Sequence, residues 1–131
     1  MLYFDAEEIL LIHHQLIERY GGSHGTHDIA RVKSAAVAPA QEVFGREQYP
    51  DIFEKSAVYA RNIITDHPFI DGNKRTGMSV AVLFLKRNGH VFTAKKGELE
   101  DFAVKTAADK LDIPTIAAWL RRHCQQTKNS S

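Results

Sequence analysis

The sequence predicts an all-α, single-domain helical bundle spanning residues 1–131. Three observations predict it. Apolar residues recur at intervals of three and four in each long segment. Aspartates precede several of these segments and glycines follow some of them, as N-caps and C-terminal stops do. The one stretch of strand character, "HVFTA" at 90–94, is too short for more than a local pairing.

The elements follow in chain order. "DAEEILLIHHQLIERY" is a helix from Asp5 to Tyr20, with Asp5 and Glu8 at capping-box spacing. Its expected apolar face is Ile9, Ile12, Leu16 and Tyr20, and Gly21 and Gly22 stop it. Asp28 to Ala38 reads as a short helix with Ile29, Val32 and Ala36 inward, ended by Pro39. "FGREQYP" is a polar connection suited to a flap or turn. Asp51 to Asp66 is a strong helix with Phe53, Ala57 or Val58, Ala60 and Ile64 inward. "KRTGMSVAVLFLKRNG" is a second strong helix, apolar nearly all round from Met78 to Leu85, and is expected to be the central one. Lys86 and Arg87 suit its negative end, and Gly89 suits its stop. "ELEDFAVKTAADK" turns Leu99, Phe102, Ala103 and Thr106 inward. Asp112 caps a last helix with Pro114 in its first turn and Ile116, Ala117 and Leu120 inward. A polar, frayed tail is expected from about residue 125. No internal repeat or interdomain linker interrupts the chain.

Composition narrows the function classes. With 44% hydrophobic residues the chain can build a core. Seventeen basic residues against 16 acidic ones give no global drive toward nucleic acid or membrane, so anion binding has to be local. The lone cysteine, Cys124, rules out an intrachain disulfide. The start "MLYFDAEEILL" lacks the positive segment of a secretory signal, and no apolar run approaches transmembrane length. A soluble cytoplasmic protein is expected.

The chemistry concentrates in "HPFIDGNKRTG" at 67–77. It sits between the two strong helices, at the start of the second. Helix starts carry free N–H groups and a positive dipole end, and so attract anions. Gly72 lets backbone approach a ligand, and Asn73 can bond phosphate or cap the helix. Lys74 and Arg75 add two cations at an end that is already positive, a conflict that a polyphosphate would relieve. Asp71 is a hard carboxylate of the kind that holds Mg²⁺ beside phosphates. His67 is a candidate general base for an attacking hydroxyl. Phe69 anchors the loop. Taken singly, each residue reads as ordinary turn and cap chemistry; together they read as a phosphate site.

The motif resembles the signature of the Fic/Doc superfamily, whose Fic branch reads H-P-F-x-(D/E)-G-N-G-R-x-x-R. His67, Pro68, Phe69, Asp71, Gly72, Asn73 and Arg75 match it. "YGGSHG", "YPDIFEKSA" and "LFLKRNG" are similar to segments of the death-on-curing (Doc) branch, so the likeness covers most of Tyr20 to Gly89. Two departures from the Fic pattern bear on subtype: Lys74 stands for its second glycine and Met78 for its second arginine. The Doc branch shares the lysine, whereas Gly72 stands where some Doc proteins have alanine.

The resemblance implies a Fic/Doc-like bundle with its active loop between two central helices. It implies a toxin kinase that moves the γ-phosphate of ATP to a protein hydroxyl, with elongation factor Tu as the known target of the branch. It further implies His67 as base, Asp71 on Mg²⁺, Gly72 and Asn73 around the phosphates, and Lys74 and Arg75 neutralising charge. The alternatives are a Fic-type AMP transferase and an inactive fold that binds only nucleotide or a partner. The inhibitory pattern (S/T)-x-x-x-E-(G/N) of many Fic proteins does not occur here. Restraint is therefore expected from a separate antitoxin, whose C-terminal segment folds into a groove near the active loop.

Other residues read more plainly. His13 and His14 are adjacent and read as surface or helix-edge residues; His24 and His27 read as loop polars. His123 beside Cys124 is no zinc pattern, the thiol reads as half-buried and structural, and Trp119 reads as core.

Overall fold

The computed structural model of the protein describes residues 1–125; the polar tail from 126 on lies outside the described residues. Six α-helices make up the described chain: α1 (Ala6–Tyr20), α2 (Ile29–Val37), α3 (Ile52–Asp66), α4 (Asn73–Arg87), α5 (Glu98–Ala108) and α6 (Ile113–Arg122). The capping box at α1 is formed in both directions, and Asp28, Asp51 and Asp112 cap α2, α3 and α6 through their carboxylates. None of these helices is long and apolar enough to cross a membrane.

The antiparallel pair α3–α4 is the spine. One core lies on one side of it, where Phe53, Ala57 and Ile64 of α3 and Met78 and Leu85 of α4 meet Phe102 of α5 and Ile116 and Leu120 of α6. A second core lies on the other side, where Tyr59 and Ile63 of α3 and Val80 and Phe84 of α4 meet Ile9 of α1, Val32 of α2 and Phe4. Each fully buried side chain of this size stabilises by about 1.5–3 kcal/mol. The expectation of a central α4 is met with an addition: α3 is buried on both faces as well.

Gly77 sets how closely the spine packs. A Cβ there would lie 2.8 Å from Cγ1 of Ile64 and 3.0 Å from the Ala60 carbonyl oxygen. The end of α3 and the start of α4 are therefore held in near contact, and the loop 67–72 bridges them.

Two small pairings complete the fold. Strands β1 (Glu42–Val43) and β2 (Arg46–Glu47) form the expected flap as a hairpin, with Phe44 and Gly45 both at positive φ in its turn. Phe44 is wholly exposed. The buried Lys55 holds this hairpin, reaching Glu47 Oε1 at 2.9 Å and the Pro39 carbonyl at 3.1 Å. Strand β3 (Val91–Phe92) pairs with β4 (Cys124–Gln125), a partner that sequence reasoning did not supply.

Three expectations about faces need correction. The buried stripe of α1 is Ile9, His13 and Ile17, with Ile12 and Leu16 only half-buried and Tyr20 exposed. His13 is thus buried rather than superficial. Ile29 is exposed, because α2 turns Val32, Ala35 and Ala36 inward instead.

Candidate active site

The motif forms a tight loop closed from within. Asn73 Oδ1 accepts from the Phe69 N–H at 3.0 Å, and Asn73 Nδ2 donates to the Phe69 carbonyl at 2.9 Å. Asn73 is buried, so its amide is committed to the loop and only its backbone N–H is left for a ligand. Phe69 is fully buried and acts as the expected anchor. Residues 25–28 brace the outside: the Ile70 N–H donates to the Gly25 carbonyl and the His27 N–H to the Pro68 carbonyl.

His67 closes α3 in the left-handed region, at φ +47°, and its side chain is exposed. A non-glycine residue there is strained by about 1–2 kcal/mol. The Asn73 Nδ2 group lies 3.4 Å from His67 Nδ1, a long contact that favours a lone pair on that nitrogen. Four residues on, Asp71 is fixed at each of its oxygens. Its Oδ1 accepts from the Gly72 N–H at 2.8 Å, and Oδ2 accepts from the Ser23 N–H at 3.0 Å. Its carbonyl accepts from Nε2 of His13 at 2.8 Å. Each carboxylate oxygen keeps a further lone pair for a cation.

Gly72 opens α4 at φ +78° without a side-chain cap, a conformation that costs an L side chain. The N–H groups of Asn73, Lys74 and Arg75 therefore point outward at the positive end of a fifteen-residue helix. No acidic residue lies in this first turn. Lys74 and Arg75 are exposed, and neither forms an ion pair with a described residue. The Arg75 guanidinium rests over the Tyr20 ring, 4.4 Å from its centre. A recess of about 300 Å³ opens here, lined by Asp71 to Arg75 on one side and Glu100, Ala103 and Val104 of α5 on the other.

All six expected site residues thus lie on one loop and one helix turn. The arrangement offers an anion seat, a carboxylate and an imidazole within a few residues of one another. Among the described residues no cluster of three His, Cys, Asp or Glu side chains could hold a metal ion unaided. The donor set suits a cation shared between Asp71 and phosphate oxygens, which is the usual Mg²⁺ arrangement.

Sequence reasoning missed three contributors. His13 had a readable signal, since Ile9, His13 and Ile17 are spaced four apart on one face. Ser23 contributes through its backbone, and the α5 wall looks like any amphipathic helix, so neither announces itself.

The remaining histidines fall elsewhere. His24 meets Glu18 at 2.7 Å, and the His14 ring lies beside it, tilted by 33°. His123 sits between the Trp119 carbonyl and Glu98, with its ring on Trp119. Cys124 is half-buried, and burial pushes its thiol pKa up, away from reactivity.

Comparison with known proteins bears on the family. Residues 3–85 match the family described as Fic/DOC family. Over 123 residues the chain is 37% identical to "Protein kinase doc" of Escherichia phage P1, covering 93% of this chain and 95% of that protein. Over 120 residues it is 30% identical to "Toxin Doc" of Mycolicibacterium smegmatis (strain ATCC 700084 / mc(2)155), covering 90% of each. The chain belongs to the Fic/DOC family, on its Doc branch.

Proposed function

We propose that the protein is a Doc-like toxin, a single-domain kinase that transfers the γ-phosphate of ATP to a Ser or Thr hydroxyl of a protein target. The target we propose is elongation factor Tu, in the cytoplasm, and its modification blocks translation. The observation that carries the reading is Lys74, a cation with no ion pair among the described residues, in the first turn of a helix without a side-chain cap, beside Asp71. Its side chain and charge occupy the place where a glycine would let backbone approach an α-phosphate for AMP transfer. The likeness to a relative named a protein kinase supports the same choice.

In this reading the phosphates lie against the N–H groups of Asn73, Lys74 and Arg75, with both cations over them. Mg²⁺ on Asp71 would share charge with the phosphate oxygens. Arg75 leaves the Tyr20 ring or reaches past it to meet the anion. His67 removes the proton from the target hydroxyl. That oxygen bonds to the γ-phosphorus as the bond to the β–γ bridging oxygen breaks, and ADP leaves. Abstraction by Nε2 needs the ring to turn off Asn73, which its exposure allows. Positioning and charge neutralisation supply most of such catalysis.

Restraint comes from an antitoxin segment. The surface that supports this is a groove between α1, α4 and α5, floored by Ile12, Leu16, Leu83 and Leu99 and edged by Arg19 and Lys86. An amphipathic helix with acidic flanks suits it.

Purified protein, the translation factor and ATP labelled at the α- or the γ-phosphate test the reading. Transfer from the γ-position alone is expected, abolished by His67→Ala. Transfer of the α-label would establish the AMP transferase instead. No transfer of either label, with no growth arrest on expression, would leave a nucleotide- or partner-binding fold.

A further inference from the structure

We propose that His13 is a positioning residue of the phosphate site. Its Nε2–H holds the Asp71 carbonyl and its ring clamps Phe69, so that α1 fixes the Asp71 carboxylate and the first amides of α4. The proposal rests on the functional reading above.

Three observations meet at this side chain. His13 is 4% exposed, and its Nε2 lies 2.8 Å from the Asp71 carbonyl oxygen, across 58 residues of sequence. A carbonyl oxygen only accepts, so the ring proton is on Nε2. The ring lies on Phe69 with centres 3.8 Å apart and planes 5° from parallel. Gly72 packs against the same ring, where a Cβ would sit 3.8 Å from Nε2 and 3.1 Å from Cδ1 of Ile17.

An apolar residue would fill this space with less cost. Burying an imidazole is unfavourable unless it gains a hydrogen bond. The buried His13 ring meets that need through its Nε2–H. That N–H goes to the backbone of the residue whose carboxylate faces the anion seat.

Of the three groups among the described residues that fix Asp71, two are backbone N–H groups, from Ser23 and Gly72, which side-chain truncation leaves in place. His13 is the one side chain among them. Hydrogen-bond partners that orient a metal ligand in this way are worth about 10–100-fold in metal affinity or activity.

Two variants separate positioning from filling. His13→Phe keeps a ring on Phe69 and removes the N–H. His13→Gln returns an amide N–H near the position of Nε2. Binding of Mg²⁺ with ATP is followed by the change in melting temperature, and turnover by γ-label transfer. His13→Phe is expected to stay folded and to need about 10–100-fold more Mg²⁺ for half-maximal binding. His13→Gln is expected to recover most of that loss. Nitrogen-15 spectra of the wild-type protein are expected to show a proton on Nε2 of His13, a measurement that does not depend on either variant folding.

Wild-type Mg²⁺ dependence in a folded His13→Phe protein would overturn the proposal, as would equal losses in both variants or a proton on Nδ1. These results leave the kinase reading intact. Absence of Mg²⁺-dependent nucleotide binding in the wild-type protein would overturn that reading, and this proposal with it.

Discussion

Helices α4 and α5 begin alike and are charged oppositely. Each opens with a glycine in the left-handed region and no side-chain cap. The first turn of α5 carries Glu98, Glu100 and Asp101, which complement the positive end of their own helix. Glu98 also accepts from the Lys95 N–H at 2.9 Å and pairs with His123 at 3.0 Å. The first turn of α4 carries Lys74 and Arg75 and no acid. One helix start has its electrostatic needs met from within. The other has no acid of its own, and of the α5 first turn only Glu100 lines the same recess as Lys74 and Arg75. The charges of the α5 first turn suit its own helix end, and those of the α4 first turn oppose theirs.

Reversing the charge of α4 is the strongest way to break this comparison. Lys74→Glu should reduce γ-phosphate transfer by about 10²–10³-fold, the scale of losing a charge-stabilising group. The same change should raise folding stability by about 0.6–2 kcal/mol, because a repelled charge becomes an attracted one. Activity and melting temperature would then move in opposite directions in one variant. If both fall together, the α4 start is not a ligand seat.

Ligand addition sharpens it next. Magnesium ATP at about a hundred times its dissociation constant should stabilise the wild-type protein by about 2.7 kcal/mol. Differential scanning calorimetry should find this shift nearly absent in Lys74→Glu and unchanged in Glu98→Gln.

A helix start that is capped from within should behave differently again. Asp51 caps α3 and pairs with Arg121 of α6. Burial alone would raise its pKa, but the Arg121 guanidinium and the Phe53 and Glu54 N–H groups bring it below the ordinary 3.8. Asp51→Ala should cost about 1–2 kcal/mol by urea denaturation at neutral pH. A depressed folded pKa gives stability that is complete above the unfolded value and fades as pH falls through the folded one. The gap between wild type and Asp51→Ala should thus be full above about pH 5 and shrink below about pH 4. A gap that persists to the acid end would mean the carboxylate charge is not what stabilises.

The smallest effect belongs to α5. Glu98→Gln should lower the melting temperature less than Asp51→Ala does, and leave phosphate transfer unchanged. The Glu98 carboxyl is held below its usual range by the His123 contact first and the Lys95 N–H second. Its contribution too is present at neutral pH and lost toward acid. Any loss of transfer in this variant would tie the α5 start to the site.

The helices and the motif were legible in one dimension because both are local. Asp5, Asp28, Asp51 and Asp112 signal their helix starts through bonds two or three residues away. The motif announces its chemistry in eleven consecutive positions. Which face of α1 is buried was not so legible. Hydrophobicity selects Ile12, Leu16 and Tyr20, whereas the fold buries His13 because a carbonyl far along the chain accepts its proton. Tyr20 stays outside with the cations of Arg19 and Arg75 over its ring. The role of Asn73 was half legible: its residue type suits phosphate, but the backbone of Phe69 takes its amide first.

The α5 wall of the recess also bears on when a newly made chain has its whole site. The loop and the first turn of α4 have left the ribosome's catalytic centre once Arg75 is added, yet the site then lacks its α5 wall and the spine lacks the α5 and α6 side of its core. At ordinary synthesis rates the rest of the chain takes on the order of 3–11 s to make. Until that side closes, α3 and α4 are held only by their contact with each other and by the core they share with α1 and α2. The recess beside the motif gains its α5 wall only after Val104 has been added, well after the motif itself has been made.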